Sequence, residues 1–274
     1  MDKSYSLYRN KGSERTTGLT YTSPIFGPVR SRRLGISLGI NLLPDDGKWC
    51  SFDCIYCECG LNRYNRAKNP LPTTRQVVDS LIDKLREMSA DGISPDVLTF
   101  AGNGEPTMHP DFTEIARQVI SVRNKLCPDA KVSILSNSTQ IHRDEIRETL
   151  MLFDNNILKL DTVDYDYIKR VDKPNGKFDL EDVVENMCRL DGNVIIQTMF
   201  MKGVDENNVS VDNTGDDYVD PYIKILRRIN PKQVMIYTID RDTPVSSLEK
   251  ASHEELDSIA EKIRKAGLKV SVSY

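Results

Sequence analysis

Three cysteines, Cys50, Cys54 and Cys57, fall within eight residues in the pattern Cys-x3-Cys-x2-Cys. In a reducing compartment, thiols crowded in this way point to a metal, because thiolate is a soft and strong donor. The pattern lacks the paired Cys-x2-Cys units of a four-ligand zinc site. Three thiolates on one loop instead suit a [4Fe–4S] cube, in which protein anchors three corners and one iron stays open. An open iron is a place for chemistry, where an amine and a carboxylate could chelate. Cys59, two residues further on, is either a functional thiol or one that crowds the cluster without ligating it. Cys127 and Cys188 read as small buried hydrophobes on helices.

A loop of this kind needs a scaffold. Gly35–Leu43 is apolar and β-branched and runs into the turn Pro44-Asp45-Asp46-Gly47, so a buried strand feeds the cysteines. Beyond them, helical and strand patterns alternate. Thr73–Met88 has apolar residues at Val77, Val78, Leu81, Ile82, Leu85 and Met88, the spacing of an amphipathic helix. Further helices are expected at 111–126, 143–152, 179–190, 218–229 and 247–266. Strands are expected at 96–101, 131–135, 156–160, 193–201, 233–239 and 268–272. Strands joined by helices imply right-handed parallel crossovers, hence an α/β fold, and about six core strands fall short of a full eight-stranded barrel. Residues 1–274 are read as one domain, with a basic N-terminal extension at 1–33 and a surface insertion at 202–220.

Composition agrees with a soluble globular chain. The 274 residues are 39% hydrophobic and 28% charged, and no apolar run reaches the roughly 20 residues of a membrane span. The N-terminus lacks a signal-peptide core, so the expected location is the cytoplasm. The net charge of −4 argues against indiscriminate attraction to nucleic acid or anionic membrane. That value conceals two basic stretches. Residues 1–33 carry seven Lys or Arg against two acids, and residues 59–78 carry four against none. Both adjoin the cysteine loop, where they would favour an anionic partner, or they form a solvated face.

The second strand ends in Gly102-Asn103-Gly104-Glu105-Pro106. Glycines let backbone carbonyls approach a ligand closely, and Glu105 can accept from an ammonium. Together, a Cys-x3-Cys-x2-Cys loop after the first strand and this motif after the second resemble the radical S-adenosylmethionine (SAM) enzymes. The stretches Gly27–Gly39, Cys54-Ile55-Tyr56-Cys57-Glu58 and Gly102–Thr107 are similar to the iron-sulfur oxidoreductases related to the wybutosine-synthesis enzyme of tRNA. That enzyme carries a second cluster held by upstream cysteines. This chain has no cysteine before Cys50, so the resemblance covers the catalytic barrel only.

The resemblance implies a partial (β/α)6 TIM-like barrel of the radical SAM type. It implies a [4Fe–4S] cluster on Cys50, Cys54 and Cys57, and SAM as second cofactor. Tyr56 would lie against the adenine, and Gly102, Asn103, Gly104 and Glu105 would bind the SAM amino group. Ser136 and Asn137, after the third strand, would contact the SAM carboxylate or ribose; alternatively they form a helix-capping turn.

Lys159 and Asp161 share a face at the end of the fourth strand, where an inward pair is costly unless paired or bound to something polar. They are candidate catalytic residues, in contact with SAM or substrate. Gln197 and Met199 on the fifth strand, and Tyr237 and Ile239 on the sixth, pack against adenine or substrate, or serve the core. His109, His142 and His253 form no zinc pattern, and His109 reads as a loop cap.

The implied reaction is reductive cleavage of SAM to methionine and a 5′-deoxyadenosyl radical that takes hydrogen from a substrate. The substrate class is RNA, or a small metabolite or peptide, and the implied reductant is a flavodoxin- or ferredoxin-like donor. Two other functions fit the cysteines alone. One is a zinc module in a nucleic-acid-binding protein, using Cys50, Cys54, Cys57 and Cys59. The other is a cluster used only for electron transfer.

Overall fold

A computed structural model of the chain describes residues 5–9, 17–31 and 35–274. The basic segment 1–33 therefore lies partly outside the described residues, as do Arg32, Arg33 and Leu34 of the Gly27–Gly39 stretch. The chain opens with an antiparallel pair, β1 (Tyr5–Arg9) and β2 (Thr17–Tyr21). β3 (Ile25–Ser31) then pairs antiparallel with β4 (Gly35–Ile40). After the cysteine loop and its short helix α1 (Asn62–Asn65) comes regular alternation. Its elements are α2 (Thr74–Ala90), β5 (Val97–Phe100), α3 (Phe112–Leu126), β6 (Lys131–Ser136), α4 (Asp144–Leu150) and β7 (Asn155–Lys159). α5 (Tyr165–Val171), α6 (Leu180–Cys188), β8 (Ile195–Met199), β9 (Met201–Gly203) and α7 (Asp216–Ile229) follow. The chain ends with β10 (Gln233–Tyr237), β11 (Leu248–Lys250), α8 (His253–Lys265) and β12 (Val270–Ser273).

The main sheet runs β12-β10-β8-β7-β6-β5-β4-β3. From β4 to β12 its seven strands are parallel, joined by six helical crossovers, and only β3 is antiparallel. β3 and β12 stand at opposite ends of the strand order, so the sheet is a partial barrel of the expected α/β class.

One face of each strand meets the helices. Leu38, Ile40, Leu98, Phe100, Val132, Ile134, Leu158 and Ile196 join helix residues such as Val77, Leu81, Ile115 and Val119 in the main core. Strand alternation turns the other residues to the opposite face, where Ile157, Ile195 and Met235 pack together. Register aligns Gln197 with Lys159 on one side and Met235 on the other.

Helix ends follow local chemistry. Thr73 and Gln76 form a capping box at the start of α2, and Ser252 and Glu255 do the same for α8.

Four features differ from the sequence expectations, one being that residues 248–250 of the helix expected at 247–266 form the strand β11. β1 to β3 precede the first expected strand. α5 is an unexpected helix of seven residues, too short to show a full apolar period. The strand expected at 193–201 divides at Phe200, whose amide bonds to the Tyr237 carbonyl, and β9 then leaves the sheet to pair with β11. Within 202–220, Val211 and Asn213 are buried, and the Asn213 side chain bonds to the Met199 carbonyl and the Met201 amide. Among the described residues no helix is long and apolar enough to cross a membrane.

Candidate functional site

The cysteine loop is clamped on two sides. On one side Trp49 pairs, backbone to backbone, with the turn after β5: its amide bonds to the Asn103 carbonyl (2.8 Å) and its carbonyl accepts from the Glu105 amide (3.1 Å). Gly104 has φ +142°, and a Cβ there would sit 2.0 Å from the Trp49 oxygen, so only glycine permits this approach. On the other side, the Asp53 and Ile55 amides bond to the carbonyls of Asp172 and Val171, each at 2.9 Å. Asn137, just after β6, donates to Ser51 Oγ at 2.9 Å and contacts the Cys50 sulfur at 3.4 Å. The two motifs separated in sequence are thus a single contact in space.

Cys54 is buried, while Cys50 and Cys57 are half-buried. Burial pushes the Cys50 thiol up to about 11 and also raises Cys54. A hydrogen bond from the Cys59 thiol holds Cys57 well below the ordinary thiol range, against the effect of burial, and Cys59 is raised in turn. Cys59 also lies 3.5 Å from the Gly102 carbonyl. Among the described residues no three His, Cys, Asp or Glu side chains form a set for one metal ion. A cube makes a different demand, since each thiolate binds its own iron. Three thiols on one clamped loop, influenced by the buried cation Lys48 and the half-buried cation Lys159, are a donor set whose chemistry fits that group.

Lys159 and Asp161 stand together as strand alternation requires, 3.3 Å apart. Lys159 also bonds to Asp172, lies 3.1 Å from the Cys54 sulfur, and sits 4.9 Å from the ring centres of Phe52 and Tyr56. Burial alone would lower the Lys159 ammonium, but Asp161, Asp172 and Cys54 outweigh it and keep it charged. Burial, opposed by Lys159, leaves Asp172 pushed up to about 6. Tyr56 donates its hydroxyl to Asp161 and lies 3.4 Å from Asp172. Asp161 in turn accepts the Met199 amide at 2.9 Å. Asp172, the C-cap of the unexpected α5, was not legible as a site residue because nothing in its sequence neighbourhood marks it.

Glu105 is 1% exposed and organises its surroundings. Its carboxylate accepts from the Thr107 amide and hydroxyl, the Ser136 hydroxyl (2.9 Å) and the Asn137 amide (2.6 Å). Burial raises its pKa, against the pull of these donors. Asn103 is fully buried: its side chain bonds to the Tyr21 amide and carbonyl and to the Pro44 carbonyl. Gly102, at φ +145°, passes close to the Asn41 side chain. Gln197 is half-buried in register with Lys159, so it shares the wall that carries the Lys159 cluster. Met199, Ile239 and Tyr237 join Tyr56 and Cys54 in one apolar cluster. His109 accepts from the Asp111 amide at Nδ1 and meets the Pro72 carbonyl at Nε2, and so caps a loop.

A protein of Brachyspira hyodysenteriae named GTPase Obg is 30% identical over 247 residues, 89% of this chain but 34% of that protein. The chain therefore spans about a third of this relative. A UPF0026 protein of Helicobacter pylori is 32% identical over 241 residues, covering 85% of this chain and 71% of that one. Among solved structures, a radical SAM methyltransferase from Sphaerobacter thermophilus superposes with a TM-score of 0.66 at 15% identity, over 98% of this chain and 72% of the other. Archaeal TYW1 gives a TM-score of 0.51 at 13% identity, over 84% and 72%. Both likenesses concern the fold. The sequence model of the Radical SAM superfamily matches residues 46–214, from the cysteine loop to the rim beyond β9. The clamped Cys-x3-Cys-x2-Cys loop and the match over this span give one conclusion: the chain belongs to the Radical SAM superfamily.

Proposed function

We propose that this chain is a radical SAM enzyme that holds a [4Fe–4S] cluster on Cys50, Cys54 and Cys57 and binds SAM beside it. When bound, these groups together supply one-electron cleavage of SAM to methionine and a 5′-deoxyadenosyl radical, which removes a hydrogen atom from the substrate. The observation that carries the reading is the pairing of Trp49 with the Gly102–Glu105 turn, which puts the strand-end motif directly against the cysteine loop. Glu105 fixes Ser136 and Asn137 from below, leaving those residues and the Gly102 backbone to meet the amino-acid end of SAM. Lys159 and Asp161 stand against Cys54 and Tyr56, where they orient the nucleoside or the substrate and keep charge fixed in a water-poor wall.

Arg63, Arg66 and Lys68 are exposed and make no ion pair among the described residues. They suit an anionic partner, either an RNA or phosphorylated substrate or an acidic flavodoxin- or ferredoxin-like donor. Such chemistry belongs in the reducing cytoplasm. Iron and acid-labile sulfide analysis after anaerobic reconstitution tests the cluster. About four of each per chain are expected, and the loss of both in Cys50→Ala, Cys54→Ala and Cys57→Ala. Full iron loading of all three variants would refute the assignment.

A further inference from the structure

Lys48 is 1% exposed and lies two residues before Cys50. Its backbone is fixed by pairing with the far end of the cysteine loop, where its amide bonds to the Asn65 carbonyl and its carbonyl accepts from Ala67. The side chain therefore has to run inward. The ammonium donates to the Gly60 carbonyl at 2.9 Å and meets Asp53 Oδ1 at 3.4 Å. That carboxylate oxygen is already taken by the Asn62 amide at 2.6 Å.

A buried ammonium needs compensation. Lys48 has one carboxylate, at long range and shared, while its shorter bond goes to a neutral carbonyl. Lys159, the half-buried cation on the other side of the cysteines, sits between two carboxylates, Asp161 and Asp172. The positive charge near the cysteines that is less fully offset is therefore that of Lys48, which lines one cleft with Cys50 and is tied to the Gly60 end of the same loop.

We infer that Lys48 is a positioning residue that balances the charge of the group held by the three cysteines and so makes that group easier to reduce. The inference rests on the cluster reading above. Reduction adds one electron, supplied by an external one-electron donor, and breaks no bond. A fixed positive charge beside the thiolates favours the more negative state, as neighbouring dipoles and charges do in metal sites generally. A lysine whose charge was cancelled by Asp53 would leave the reduction potential unchanged.

The test is a potentiometric titration of the reconstituted full chain, followed by electron paramagnetic resonance, with iron content measured on each sample. Lys48→Met removes the charge at similar length. It is expected to lower the reduced-to-oxidised ratio at a fixed potential about tenfold, a midpoint shift of about 59 mV to more negative values. Asp53→Asn keeps an acceptor for Asn62 but removes the anion beside Lys48, so it is expected to shift the midpoint the opposite way. Fully loaded variants with unchanged midpoints, or with shifts of the same sign, would overturn the inference. If Lys48→Met takes up no iron, the Asp53→Asn shift alone decides. A wild-type protein that binds no cluster would instead refute the functional reading on which the inference stands.

Discussion

The carbonyl oxygen of Trp49 occupies the space that a side chain on Gly104 would need, 2.0 Å from the ideal Cβ position. This contact seals the cysteine loop onto the end of β5, and backbone on both sides leaves no flexible atom to move aside. Gly104→Ala is expected to destabilise the fold by about 3 kcal/mol, combining strain at φ +142° with the clash. Gly176→Ala, where nothing lies within 4 Å, is expected to change stability by less than about 0.5 kcal/mol. Urea unfolding of the two variants beside the wild type checks the contrast.

Lys159 binds Asp161 and Asp172, whose side chains are 1% and 3% exposed. Lys159→Met leaves two buried carboxylates facing each other without their cation. A cost of about 3–5 kcal/mol is expected, larger than for replacing an exposed pair such as Arg75–Asp79. Denaturant titration measures it. A Lys159→Met protein as stable as wild type would show that the network is not what holds α5 to the loop.

Burial lowers the His109 pKa below 6.5, against the Pro72 carbonyl at Nε2 and the Asp111 charge, which both favour the protonated ring. The depressed folded-state value means that the unfolded chain takes up the proton first as the pH falls. The contribution of His109 is therefore fully present above about pH 6.5 and is lost as pH drops through the folded pKa. His109→Asn, which keeps an acceptor at the Nδ1 position, is expected to be less stable at pH 7.5 by about 1 kcal/mol and to lose this part of the acid dependence. Comparing wild type and variant at pH 7.5 and 5.5 isolates the effect.

Glu105 accepts four hydrogen bonds, and every partner is a donor. Glu105→Gln places an amide N–H against one of them, which releases Ser136 or Asn137. SAM affinity is expected to fall at least about tenfold, the equivalent of 1.4 kcal/mol, with iron content unchanged. Equilibrium dialysis with labelled SAM provides the readout.

Much of this site was legible in the amino acids because its parts lie at strand ends, where local patterns are strongest. The cysteine spacing, the glycine turn and the Lys159–Asp161 alternation each depend on a few consecutive residues. Lys48, Asp172 and the role of Asn137 do not. Their positions follow from contacts of 5 to more than 80 residues in sequence separation, as between Lys48 and Asp53 and between Asn137 and Ser51. Glu105 was expected to receive an ammonium, yet its environment shows a second task, that of holding the next strand end. β9 is not separable from β8 in the sequence for a related reason: an apolar run that crosses from one sheet to another keeps its composition while changing its partners.

Anaerobic reconstitution of the full chain, reduction with dithionite in the presence of SAM, and chromatographic measurement of 5′-deoxyadenosine decide whether the protein cleaves SAM. Wild-type protein is expected to release the nucleoside and Cys54→Ala none. A loaded, reduced wild-type cluster that yields no 5′-deoxyadenosine and whose spectrum ignores SAM would refute the assignment of radical SAM chemistry.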